Sequence, residues 1–138
     1  MSYIKNYENL TKELSSFGSW YYEEITEINY TVKRDFDDNY ITILYLEFLI
    51  SVKEKNRLFK MKVRYDGVSE LCLREVTNLC LERSLIIHDK KELGWDLRKR
   101  YHVHDDSGYG ENDGYDFISF YCRNMEAIEL EEVQIFNI

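Results

Sequence analysis

From Phe59 to Tyr65 the side chains alternate without a break: Phe59, Met61, Val63 and Tyr65 are apolar, and Lys60, Lys62 and Arg64 between them are cationic. A period of two puts the apolar set on one face of an extended strand and the cations on the other. The chain must therefore provide a second layer to cover the apolar face. Just before it, Ile41 through Val52 is apolar on both faces of a period-two pattern, as expected of a central strand covered on both sides. Lys53-Glu-Lys-Asn56 is the turn between the two.

The rest of the chain reads around this pair. Ile4, Tyr7, Leu10, Leu14 and Phe17 recur every three or four residues, which predicts an amphipathic helix stopped near Gly18. Ile25, Ile28, Tyr30 and Val32 then mark an extended segment closed by the polar turn Asp35 to Asn39. Asp66-Gly67 is compatible with a tight reversal, and Val68, Leu71 and Leu73 form a short extended piece. Further strands are expected over Glu82–His88, Leu97–His104, Phe117–Cys122 and Glu126–Phe136, the middle two joined by a long loop. No repeat or linker divides the 138 residues, a length that buries a core without staples. The expected fold is α+β, mainly β, in one domain spanning 1–138. Its N-terminal helix packs on a twisted antiparallel sheet of six to eight strands. With no proline in the chain, sheet edges must be protected by charge, bulges or coverage, for which Lys60, Lys62, Arg64 and the acidic C-terminal strand are available.

Charge narrows the partners. Twenty-six acidic against 18 basic residues give a net charge of −8, a field that repels nucleic acid and anionic membranes and steers basic macromolecules inward. Cys72, Cys80 and Cys122 form neither an even set nor a C-x-x-C pair and read as reduced, buried small hydrophobes. No basic-then-apolar leader opens the chain, and the apolar run from Ile41 to Ile50 is too short to cross a bilayer, so a cytoplasmic location is expected.

Motifs for chemistry are sparse. His102-Val-His104 puts two imidazoles on one strand face with Asp105 and Asp106 following, so His102, His104 and Asp105 form a candidate divalent-metal set. Solvent-facing histidines at a hairpin are the simpler expectation, and no cofactor is expected. The twelve residues from Asp105 to Asp116 have acidic ends but Tyr109 at the fifth position and strand-like flanks, unlike a calcium loop between helices. No G-x-S-x-G or phosphate-cradling loop occurs, since Gly108 and Gly110 stand among acids. The chain is expected not to be an enzyme.

The same loop reads better as a contact surface. Asp105, Asp106, Glu111, Asp113 and Asp116 are interleaved with Tyr109 and Tyr115, which places aromatic anchors among like charges for a basic protein partner. Trp20-Tyr-Tyr-Glu-Glu24 is a second aromatic-acidic cluster, with packing of Trp20 against the helix as the alternative.

Three stretches together resemble a group of small bacterial immunity-protein-like families of polymorphic toxin systems. Ser19-Trp-Tyr-Tyr-Glu-Glu-Ile25 is similar to their S-[FW]-H-D-A-E-I entry after the helix. Phe59 to Val68 with Leu71 and Leu73 is similar to their alternating strand and V-x-x-L-x-L tail, and Phe117 to Cys122 with Ile128 and Leu130 to their last hairpin. Tyr21 and Tyr22 stand where the families have His-Asp, so no role of that pair carries over. The resemblance implies a cytoplasmic protein that binds and neutralises a cognate toxin, often a nuclease; the alternative readings of the residues are a small metal-dependent enzyme using the His-x-His site, or a structural or adaptor protein, with a monomer or a homodimer expected in either case.

Overall fold

The computed structural model describes residues 2–74, 79–81, 83–90, 99–106 and 117–133. One helix, α1 (Tyr7–Ser15), precedes eight strands: β1 (Tyr21–Arg34), β2 (Tyr40–Val52), β3 (Arg57–Asp66), β4 (Ser69–Leu73), β5 (Ile86–Asp89), β6 (Tyr101–His104), β7 (Ile118–Cys122) and β8 (Asn124–Val133). The fold is α+β and mainly β, as the periodicity implies. The strands form two four-stranded sheets, a long one in the order β1-β2-β3-β8 and a short one in the order β4-β7-β6-β5, with every paired neighbour antiparallel.

The division into two sheets is made at Gly67. This glycine does not reverse the chain: β3 pairs with β8, β4 pairs with β7, and β3 and β4 follow one another along a single bent ribbon. At the bend the Gly67 N–H donates to the Thr42 carbonyl at 2.9 Å and the Arg123 N–H to the Asp66 carbonyl at 2.8 Å. Gly67 has φ +65°, and a Cβ there would lie 2.3 Å from Arg123 Cδ. Only glycine meets both demands without strain.

On the inner face of the long sheet, Leu44, Leu46, Phe48, Ile50, Phe59, Met61, Val63 and Tyr65 are buried and join Val103, Ile118 and Phe120 of the short sheet in one core cluster. Tyr65 meets Phe120 edge to face, with ring centroids 4.9 Å apart. The helix is shorter than its apolar pattern, because Lys5 is taken into a β-bridge with Glu126. Leu14 is its fully buried anchor, and Phe17 stacks on Phe59 beyond its end. Among the described residues no helix is long and apolar enough to cross a membrane.

Some expectations about the outer faces change. β2 is central, but its outward Tyr45, Glu47 and Leu49 are only half-buried. Lys60, Lys62 and Arg64 lie on an inner strand and guard no edge; they stand opposite Glu131, Glu129 and Glu126 of β8. The acidity of the C-terminal strand is therefore answered by a neighbouring row of cations. Cys122 is buried as expected, whereas Cys72 and Cys80 are exposed, because β4 is an edge strand and Cys80 belongs to a short piece bridged to β1 at Glu24.

Candidate functional site

The loop singled out in the sequence is described only at its first two residues. Tyr109, Glu111, Asp113, Tyr115 and Asp116 lie outside the described residues. Asp105 is buried, and its Oδ1 accepts from the backbone N–H groups of Phe117 and Ile118 at 3.1 and 3.0 Å. It binds the end of β6 to the start of β7, with its carboxylate turned into the protein. Asp106 is half-buried and forms an ion pair with Arg83 at 2.9 Å. Both aspartates thus have intramolecular partners at the base of the hairpin.

The aromatic-acidic cluster after the helix is divided in a similar way. Trp20 Nε1 donates to Ser15 Oγ of α1 at 3.1 Å, which is the packing alternative. Tyr22 turns inward against Phe48, and its hydroxyl bonds to that of Tyr7 beside a cavity of about 140 Å³ between the sheets, lined also by Val63, Tyr65 and Leu85. Burial, reinforced by Tyr7, pushes the Tyr22 hydroxyl far above the ordinary phenol range and keeps it protonated. Tyr21 remains outside with Lys53 over its ring.

The polar turn Asp35 to Asn39 forms the tip of the β1–β2 hairpin. β2 pairs with β3 only from Ile43 onward and Thr42 is still tied to Gly67, so it is Lys33–Arg34 and Tyr40–Ile41 that pair with each other and extend past the rest of the long sheet. Of the nine exposed large hydrophobic side chains among the described residues, five (Tyr30, Val32, Phe36, Tyr40 and Ile41) lie at the outer end of this hairpin, Ile41 on the ribbon face opposite to Tyr30, Val32 and Tyr40. The register puts Tyr30, Val32 and Tyr40 on the ribbon face that carries core residues such as Leu44 further down. The apolar face therefore outruns the core.

The turn at its end is preorganised. Asp35 Oδ1 accepts from the N–H groups of Asp37 and Asn39, both at 2.9 Å, and Asp38 takes the left-handed conformation at φ 59°. Phe36 is left fully exposed between Asp35 and Asp37, with three aspartates and no base from residue 35 to 39. Arg34, the nearest cation, is bonded through Nη2 to the Tyr40 hydroxyl at 2.9 Å. The signal available in the sequence was Phe36 itself, an apolar ring inside an otherwise acidic turn.

His102 and His104 are not the solvent-facing pair expected. His104 is fully buried and His102 is 5% exposed, on β6, an inner strand flanked by β5 and β7. The third histidine, His88, stands directly across from His102 on β5. Comparison with known proteins gives no match: no family model matches the chain, and no curated protein or solved structure matches it significantly.

Proposed function

We propose that this chain is a non-enzymatic acidic module that binds a basic protein partner, and that the partner is a cognate bacterial toxin which it neutralises. The observation that carries the reading is the projecting hairpin with Phe36 fully exposed among aspartates on a hydrogen-bonded turn. An aromatic anchor on a rigid turn contributes buried area at small entropic cost, and the surrounding acids steer it to a positively charged cleft. A net charge of −8 acts in the same direction over longer range. The likeness of Ser19–Ile25, Phe59–Leu73 and Phe117–Leu130 to immunity-protein families supports the choice of a toxin, and a nuclease cleft fits because acidic side chains displace the phosphates of its substrate.

Co-expression with the product of the adjacent gene tests this. The expected result is a complex that survives gel filtration and relieves the toxicity of the neighbour. Phe36→Ser and Asp37→Lys should lower affinity by about tenfold or more each, with unchanged melting. A neighbour that is neither bound nor inhibited refutes the toxin reading, and full affinity in both variants refutes the hairpin.

A further inference from the structure

All three histidines of the chain meet on the short sheet. Ring centroids are 5.0 Å apart for His88 and His104, 5.0 Å for His102 and His104, and 5.9 Å for His88 and His102. His88 Nε2 lies 2.9 Å from His104 Nε2, with the ring planes 16° apart. The centroid separation exceeds the nitrogen–nitrogen distance by about two ring radii, so the imidazoles meet nitrogen to nitrogen and not face to face.

Hydrogen bonding defines which nitrogen is the lone-pair donor. His104 Nδ1 is 2.8 Å from the Asp105 carbonyl oxygen, which can only accept, so Nδ1 carries the proton and Nε2 of the neutral ring carries the lone pair. A backbone carbonyl on Nδ1 is the outer contact that holds a metal-ligating histidine in its Nε2 form. That carbonyl belongs to the residue whose carboxylate is bonded to Phe117 and Ile118, so His104 is aimed by a braced piece of backbone.

We propose that His88 and His104 form a two-histidine clamp for a divalent transition-metal ion of the Zn²⁺ class, with His102 recruited as the third nitrogen. Two imidazoles bound to Zn²⁺ at about 2.0–2.1 Å in tetrahedral geometry have their nitrogens roughly 3.3 Å apart. The present pair must open by a few tenths of an ångström and both rings must turn, so that the two Nε2 lone pairs converge on the ion instead of facing each other. On binding, His88 gives up its Nε2 proton to solvent and takes one at Nδ1, remaining neutral while the ion replaces the shared hydrogen. Among the described residues no three ligating side chains already stand around one point. His102 Nε2 is instead 2.9 Å from Ser119 Oγ, its ring stacked 4.6 Å from Tyr121, and it must exchange the hydroxyl for the ion. His88 is only half-buried and forms the entry side, whereas His104 is the closed wall. A bound ion would fasten β5, an edge strand of four residues, to β6.

The metal site requires none of the hairpin's properties, and its test is separate. Tag-free protein is stripped with chelator and titrated with Zn²⁺ by calorimetry, and with Co²⁺ for the ligand-field absorption of a tetrahedral nitrogen site. The expected result is one equivalent bound, a rise in melting temperature on Zn²⁺ addition, and a loss of affinity of about tenfold or more in His88→Gln and in His104→Gln. His102→Ala should weaken binding and alter the Co²⁺ spectrum. His88→Gln, at a half-buried edge position, keeps the test valid if His104→Gln fails to fold. No saturable binding to the wild-type protein, or binding retained in His88→Gln, overturns the proposal.

Discussion

The two sheets are held in place by different kinds of interaction. The long sheet has strands of 14, 13, 10 and 10 residues, an inner face of aliphatic and aromatic side chains, and an outer face on which the register sets the cations of β3 opposite the glutamates of β8. The short sheet has strands of five, four, four and five residues and carries buried polar groups: His102, His104 and Ser119, with Asp105 at the end of β6. Hydrophobic burial is non-directional and tolerates many packings, whereas a buried polar group must find a particular partner. The long sheet is therefore a scaffold specified by pattern, and the short sheet is specified by individual contacts at its bend, its hairpin base and its histidines.

The strongest challenge to this division is Phe120→Ala, which removes the ring that meets Tyr65 across the sheets. A loss of about 3–5 kcal/mol is expected, in one transition that melts both sheets together. Cys122 reports on it independently: burial pushes its thiol up to about 12, so native protein should be labelled by a thiol reagent at Cys72 and Cys80 and very slowly at Cys122. Two separate unfolding transitions would mean that the sheets are independent units.

Asp105→Ala tests the contact-by-contact account of the short sheet. Two backbone N–H groups lose their acceptor, at a cost of about 1–3 kcal/mol, while Asp105→Asn, which keeps an oxygen at the same place, should cost less. Equal stability of the Ala and Asn variants would show that the carboxylate does not brace the β6–β7 base. Gly67→Ala comes next, with about 1–2 kcal/mol for the left-handed backbone. Adding Arg123→Ala should recover only the steric part, leaving the backbone part, and a double-mutant cycle measures the two.

The smallest effect belongs to the open end of the long sheet's inner face, where the Arg57 guanidinium lies over the Phe17 and Phe59 rings. Arg57 makes two bonds of 2.7 Å to Glu132 and holds its carboxyl below the ordinary carboxylate range. Because the folded-state value is depressed, this contribution is complete above the ordinary carboxylate range and is lost as pH falls through the depressed value. Melting curves of Glu132→Gln should lie slightly below wild type at neutral pH, join it at the acid end, and differ less in high salt. A gap that persists at low pH would assign the effect to packing and not to charge.

Much of the long sheet was legible because its signal is periodic. Phe59, Met61, Val63 and Tyr65 are all buried, and β2 lies beside β3 as the turn at Lys53–Asn56 requires. The helix was legible too, apart from its first residues, which the bridge between Lys5 and Glu126 diverts. The short sheet is legible as strands, but their arrangement is not. Nothing local in Asp66-Gly67 distinguishes a reversal from a bend, since both use a glycine at positive φ, and the choice depends on Thr42 and Arg123 being close in space. His88 could not be joined to His102 and His104 for the same reason, since their meeting depends on the pairing register of β5 with β6.

The sequence by itself determined the mainly β character, the apolar face of the central strands and the acidic field, because side-chain alternation and charge are properties of composition and order. The tertiary structure alone decided the rest: the bend that separates the two sheets, the inward turn of Asp105, the projection of the Phe36 hairpin and the convergence of the three histidines. Each of these depends on which distant segments become neighbours, and long-range pairing is set by the packing of the whole core, not by any local run of residues.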